Sequence, residues 1–312
     1  MFNEISLYMI DYNKIIITLN NLPNVWQAKI AHFLDLIKNK KIEEDIIWYF
    51  NACISIWLIP WLKAEFDNAV LEKAKSEYDR IKDQSDKLWI KITNSFDEDY
   101  PKLFNRLNNA PQIIYSKWPI ERINKIKNIA IIWTREPTKE WINASEWLWK
   151  TFSENWFNII SWLAKWCDSF AHIWALKSDK WITTAILWNW LDTIYPNENI
   201  ELANNILSKW WILLSEYPVW FTSKNWSLTS RDRLQAWMSD AIIGVQFWEK
   251  SWTIHAINTA IKNRIPTYVV KFNNMQSLWD KITWNIKYLK SWEAKEITST
   301  NINNIITNIN NI

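Results

Sequence analysis

The sequence predicts an α/β protein: a doubly wound, mostly parallel Rossmann-like sheet with a small helical domain ahead of it. Three observations carry this. From residue 128 onward, short apolar runs alternate with segments of helical period, as expected when crossover helices bury strands on both faces. Residues 1–87 show helical periodicity and few strand signals. Third, the chain has 27 Trp and a single Gly, Gly244, and the Trp residues stand where strand ends and loop starts need glycine.

Taken in order, Leu22–Lys29 opens an amphipathic run through Ile37. With glycine at position 26 this piece resembles the hairpin of a helix-hairpin-helix module; an ordinary helical turn fits as well. A charged helix is expected over 64–87, and a transitional segment over 88–127 with short elements near Tyr100-Pro101 and Ala110-Pro111. Strands are expected at 128–132, 157–161, 183–187, 212–215, 241–245 and 267–270. Helices are expected at about 139–153, 169–177, 200–209, 231–238 and 253–263. The boundaries are 1–87 for the helical domain, 88–296 for the sheet domain and 297–312 for a tail, with no room there for a winged-helix domain. The tail is rich in Asn, Ile and Thr and reads as a weak helix or a frayed end.

Average usage would place about 22 Gly in a chain this long. Trp instead occupies the punctuation: Ile132-Trp133-Thr134, Ser161-Trp162-Leu163, Lys165-Trp166-Cys167, Trp188-Asn189-Trp190 and Ser251-Trp252-Thr253. Indoles are expected on apolar faces with the N–H partnered, not at turns. The Ile-, Asn- and Lys-rich composition suits an AT-rich genome. The expectation is therefore that most printed Trp are glycines encoded by UGA.

The net charge of +3 and pI of about 8.6 permit a nucleic-acid partner without demanding one. Cys53 and Cys167 lie far apart, without metal-ligand spacing, as reduced thiols would. The N-terminus lacks the pattern of a signal peptide and no apolar stretch reaches membrane-spanning length, so a cytoplasmic protein with no membrane contact is expected. Neither a cofactor nor a metal site is expected.

Two loops carry the candidate chemistry. The first expected strand runs into Trp133-Thr134-Arg135 and then a helix. With glycine at 133, backbone N–H groups at the helix start and the Arg135 guanidinium suit a phosphate; a plain tight turn with a solvated Arg is the simpler alternative. The next strand ends in Ser161-Trp162-Leu163-Ala164-Lys165-Trp166-Cys167-Asp168, a second phosphate-friendly loop where crevices form in such sheets. His172 follows and reads as structural, orienting the loop, because His32, His172 and His255 show no nucleophile–base–orienter arrangement.

With Trp read as Gly, these runs resemble the DNA-processing protein DprA (Smf) family. The similarity rests on residues 133–135, 161–172, 183–199, 213–218, 230–246 and 250–253, is collinear, and spans roughly 96–296. The resemblance implies a Rossmann-like fold that is not an enzyme. It implies binding of single-stranded DNA, loading of a RecA-type recombinase onto incoming DNA during transformation, and a homodimer. It places DNA phosphates on Trp133, Thr134, Arg135, Ser161, Trp162, Lys165, Trp166 and Asp168. Lys180, Asn189, Ser251, Arg231 and Arg233 are further binding candidates. Asp232 stands where the family's Arg-Asn-Arg motif has Asn, which puts a negative charge beside the proposed pocket.

Two other classes compete. A Rossmann-type nucleotide-binding enzyme, such as a nucleoside monophosphate phosphoribohydrolase, needs a catalytic acid beside a Pro-Gly-Gly-type loop. No such loop is present; Glu216 and Glu249 are the nearest acids. A P-loop NTPase fails because no G-x-x-x-x-G-K-[ST] string occurs under either reading of Trp.

Overall fold

The computed structural model describes residues 11–22, 30–31, 34, 68–107, 110–132, 138–164, 167–177, 182–187, 189–221, 233–248, 253–271 and 282–312. The hairpin-like piece at 23–29 lies outside them, as does the start of the helix expected from 64. The described helices are α1 (Tyr12–Asn20), α2 (Asn68–Lys87), α3 (Lys139–Glu154), α4 (Cys167–Leu176), α5 (Ile200–Ser208), α6 (Thr253–Lys262), α7 (Thr283–Lys290) and α8 (Ile302–Asn310). The strands are β1 (Lys91–Asn94), β2 (Ile113–Lys117), β3 (Asn128–Ile132), β4 (Asn158–Trp162), β5 (Ile182–Ile186), β6 (Ile212–Ser215), β7 (Ala241–Gly244), β8 (Thr267–Val270) and β9 (Lys295–Ile297).

The strands form one nine-stranded sheet in the order β1-β2-β6-β5-β4-β3-β7-β8-β9. From β6 to β9 every pairing is parallel, while β1–β2 and β2–β6 are antiparallel. The chain moves outward from β3 through β4 and β5 to β6, then returns to place β7 on the other side of β3. That reversal opens a crevice at the carboxyl ends of β3 and β7, where doubly wound sheets bind ligands.

Alternation along the strands builds two apolar layers. Ile129 and Ile131 of β3, Ile159 of β4, Leu213 of β6 and Ile243 of β7 face the layer that holds α1 to α5 and α8. Ala130, Ile132, Ile160, Leu214 and Ile242 face the other layer, with α6, α7 and the helical residues 233–237. Both faces are covered, so the central strands are buried and mostly apolar, as a parallel sheet requires, and the polar exceptions such as Asn128, Asn158 and Thr184 bond one another across the strands. Gly244 is needed for closeness rather than for its backbone angle. A Cβ there would sit 2.4 Å from the ring of buried Phe247 and 3.2 Å from Ile257 of α6.

The C-terminal residues also pack on the sheet. β9 adds a parallel strand to β8, and Ile302, Ile305, Ile306 and Ile309 of α8 are buried in the same core as α3. Their spacing of three, one and three residues forms one helical stripe. Of the two readings of the tail, helix or frayed end, the helix is the one observed, and it is packed. The transitional segment likewise supplies β1 and β2. Tyr12 of α1 stacks on Phe96 at 4.1 Å, and Asn94 donates to Asn13, so the N-terminal helices rest on this antiparallel edge.

Helix ends expose an anomaly. Among the described residues, seven non-Gly residues have left-handed φ, and six are Trp: Trp89, Trp118, Trp156, Trp210, Trp220 and Trp292, the seventh being Arg264. Trp89, Trp156 and Trp210 each close a helix by the paired bonds of a Schellman turn: Ile90 N–H to Ser85 O, Phe157 N–H to Phe152 O and Trp211 N–H to Ile206 O span the turns. Glycine is the usual residue at that position because a Cβ is strained there. Trp89, Trp156, Trp210 and Trp292 are 87%, 64%, 57% and 91% exposed, so burial offsets little of that strain at Trp89 and Trp292 and only part of it at the other two.

Candidate nucleic-acid interface

Of the candidate site residues, Ser161, Trp162, Asp168, Asn189 and Arg233 fall among the described residues. Trp133, Thr134, Arg135, Lys165, Trp166, Lys180, Arg231 and Ser251 fall outside them, as do Asp232 and Glu249. The described ones gather at the carboxyl ends of β4, β5 and β6.

The loop after β4 is closed by the helix it leads into. Ser161 Oγ donates to Asp168 Oδ1 at 2.9 Å, and the Ala164 N–H reaches Asp168 Oδ2 at 3.3 Å. Asp168 is in the first turn of α4, where a carboxylate also meets the positive end of the helix dipole. Asp168 is therefore buried and braces the loop from within.

His172, fully buried, ties three elements together. Its Nε2 lies 2.7 Å from Trp162 O and its Nδ1 lies 2.8 Å from Thr183 Oγ1 on β5. A carbonyl can only accept, so the neutral ring carries its proton on Nε2, and the one hydroxyl proton of Thr183 serves either His172 Nδ1 or the Ile159 carbonyl, each 2.8 Å away. Burial pulls its pKa down to about 4, against a backbone hydrogen bond to Trp162 that acts the other way. Because the folded pKa is depressed, the stability it contributes is full above about 6.5 and falls as the pH drops toward 4. Replacing His172 with Gln should therefore flatten the melting temperature profile across that window; an unchanged slope would remove His172 from the acid response.

Asn189 follows β5 and is buried. It donates from Nδ2 to Thr193 O, while its own carbonyl accepts from Ser215 Oγ at 2.7 Å. Its side chain thus closes the loop it stands on. Arg233 donates from Nη2 to Glu216 Oε2 at 2.7 Å, with Glu216 almost fully buried, and its guanidinium lies over Trp237 at 4.6 Å. Burial raises the Glu216 pKa and the Arg233 charge opposes that rise. Glu216, one of the two acids weighed for catalysis, is therefore held by an arginine.

Three side chains that sequence reading passed over hold this rim. Gln246, after β7, accepts the Thr138 N–H at 3.1 Å and so caps α3, the helix that follows residues 133–137. Gln235 donates to Ile160 O at 3.1 Å. Asn199 donates to Leu163 O at 2.9 Å and to Ala164 O at 3.2 Å. Uncharged amides on a loop carry no sequence signal that separates them from solvated Asn and Gln. A cavity of about 300 Å³ lies apart, between α5 and β2, lined by Lys117, Asp192, Ile194, Ala203, Leu207 and Leu213. Among the described residues no cluster of His, Cys, Asp and Glu could hold a metal ion, and no helix is long and apolar enough to cross a membrane.

This architecture defines a class: a Rossmann-like α/β protein whose loops gather at the strand ends around the β3–β7 reversal. A family model described as DNA recombination-mediator protein A matches residues 91–307, and the chain belongs to that family. It is 28% identical over 173 residues to DNA processing protein DprA of Bacillus subtilis, covering 55% of this chain and 58% of that protein. It is 30% identical over 158 residues to protein Smf of Synechocystis, covering 50% of this chain and 39% of the relative. The chain thus spans less than two thirds of the length of these curated relatives. The crystal structure of DprA from Streptococcus pneumoniae superposes with a TM-score of 0.72 at 22% identity, covering 93% of this chain and 96% of that one. DNA processing protein A from Helicobacter pylori, whose structure concerns its single-stranded DNA binding mode, gives 0.59 at 26% identity, covering 70% and 95%.

Proposed function

We propose that this protein binds single-stranded DNA and loads a RecA-type recombinase onto it during transformation, as a homodimer and without catalysing a reaction. One observation supports the reading: the described part of the family's second loop, Ser161–Ala164 with Asp168, lies at the carboxyl end of β4, the strand beside β3. Residues 133–135 and 161–168 would cradle successive phosphates, with Arg135 and Lys165 as the charged contacts. Asn189, Arg231 and Ser251 follow the carboxyl ends of their strands and line the same rim in this reading, whereas Lys180 precedes β5. Arg233 contributes by holding Glu216. A cradle of backbone amides and cations follows the sugar-phosphate chain and leaves bases unread, so binding should be sequence-tolerant and salt-sensitive.

The test is titration of labelled poly-dT at two salt concentrations. Arg135→Ala and Lys165→Ala should each weaken binding alike for all sequences and reduce the log–log salt slope by about 1. No binding by the parent protein at low salt would defeat the reading, and an altered base preference would defeat the phosphate cradle.

The same reading takes most printed Trp as Gly in the native chain. Six Trp at left-handed φ, three of them in Schellman turns, support it. Peptide masses of the native protein decide it: glycine masses at 133, 162 and 166 are expected, and tryptophan masses there would end it.

A further inference from the structure

Asn199 immediately precedes α5, a position where Asn ordinarily caps the helix through its side chain. Here it makes no capping bond. The buried carboxamide turns instead toward the loop after β4. Nδ2 donates to Leu163 O and Ala164 O, and Oδ1 lies 3.0 Å from Ser169 Oγ. Ser169 Oγ is also 3.0 Å from Ala164 O, so its one proton serves either acceptor. One amide from the β5–α5 connection therefore grips both the loop and the first turn of α4. A planar trans peptide points its N–H opposite its C=O, so fixing two carbonyls fixes which way the loop's amides face. The grip complements Asp168, which holds the Ala164 N–H from the other side of the same peptide chain.

We infer that Asn199 is a positioning residue for the phosphate loop: it touches no ligand, and holds the segment around Leu163 and Ala164 in the geometry that receives a DNA phosphate. This rests on the single-stranded DNA reading, because it names what orders that site. Asn199 bears no charge, so its loss should change how well the cradle is formed and leave the number of cations around the phosphates as it was.

The experiment compares the full chain with its Asn199→Ala and Asn199→Asp variants, and with Ile206→Val, a core truncation on α5 that lowers stability away from the loop. Without DNA, amides of residues 163–168 should exchange with solvent about tenfold faster in both Asn199 variants and at the parent rate in Ile206→Val. With labelled poly-dT, Asn199→Ala should bind about tenfold more weakly, with a salt slope equal to the parent's. Asn199→Asp should bind more weakly still, since it loses both donors and adds negative charge near the cradle. Parent-like affinity in Asn199→Ala, a reduced salt slope, or an equal loss in Ile206→Val would overturn the inference. If the parent itself fails to bind poly-dT, the DNA reading fails, while the exchange rates still decide whether Asn199 orders the loop.

Discussion

Replacing Trp89, Trp118, Trp156, Trp210, Trp220 and Trp292 together with glycine is expected to raise the melting temperature of the chain by roughly 10 °C or more. A non-glycine residue in the left-handed region costs on the order of 1–2 kcal/mol, and glycine returns some of that through the freedom of the unfolded chain. About 1 kcal/mol should remain at each well-exposed position, and the sites are separate enough to add except Trp118 and Trp210, whose rings touch. The gain should concentrate at Trp89, Trp156 and Trp292, whose rings are mostly in solvent. It should be least at Trp118 and Trp220, because Trp118 packs at 4.3 Å on Trp210 and Arg80 lies over the Trp220 ring. Calorimetry of the sixfold variant against the printed chain measures this. A lower melting temperature would mean that the indoles contribute more through packing than they cost through strain.

Arg233→Ala is expected to destabilise the protein by about 3–5 kcal/mol, because it strands a buried carboxylate. Glu216 has one oxygen on Arg233, and the Tyr217 side chain adds a hydrogen bond to the same carboxylate. Its folded pKa is already raised by burial, and removing Arg233 takes away the charge that opposes the rise. Protonation then stabilises the folded variant. The destabilisation should be least in acid, where the carboxyl is neutral in both folded and unfolded chains, and should grow as the pH climbs through the raised folded value. Replacing both partners by neutral residues, Glu216→Gln with Arg233→Met, should recover most of the loss. Denaturant unfolding at several pH values reads all of this. Unchanged stability together with lost DNA affinity would instead place Arg233 on the DNA.

The central strands were legible because continuous apolar runs bounded by helical periods admit few alternatives: Asn128–Ile132, Ile212–Ser215 and Thr267–Val270 are as expected, and the other central strands shift by about a residue. The two edge strands were hidden. Lys91-Ile92-Thr93-Asn94 is only four residues long and half exposed, and Lys295-Glu296-Ile297 exposes two of three, so neither has an apolar run. The stripe of α8 was present in the letters at 302, 305, 306 and 309, and the Asn-rich composition left a weak helix and a frayed end both open. At the site, the sequence pointed to the loops through their glycine-like punctuation and charges. It gave no sign of what braces them, because Asn199, Gln235 and Gln246 act across strands far apart in the chain, and only the fold brings them together.

The position of β7 beside β3 also bears on how the chain is made. Ile129 pairs with Ala241, and Ile132 with Gly244. When β3, β4 and β5 have left the ribosome, one flank of β3 still lacks its neighbour, which is synthesised about a hundred residues later. An apolar strand edge is thus open during synthesis, a template for pairing with another nascent chain. Non-local pairing of this kind also slows folding. Expression at low temperature, or with a chaperone that covers strand edges, should recover more soluble protein than any change confined to the surface of the finished fold.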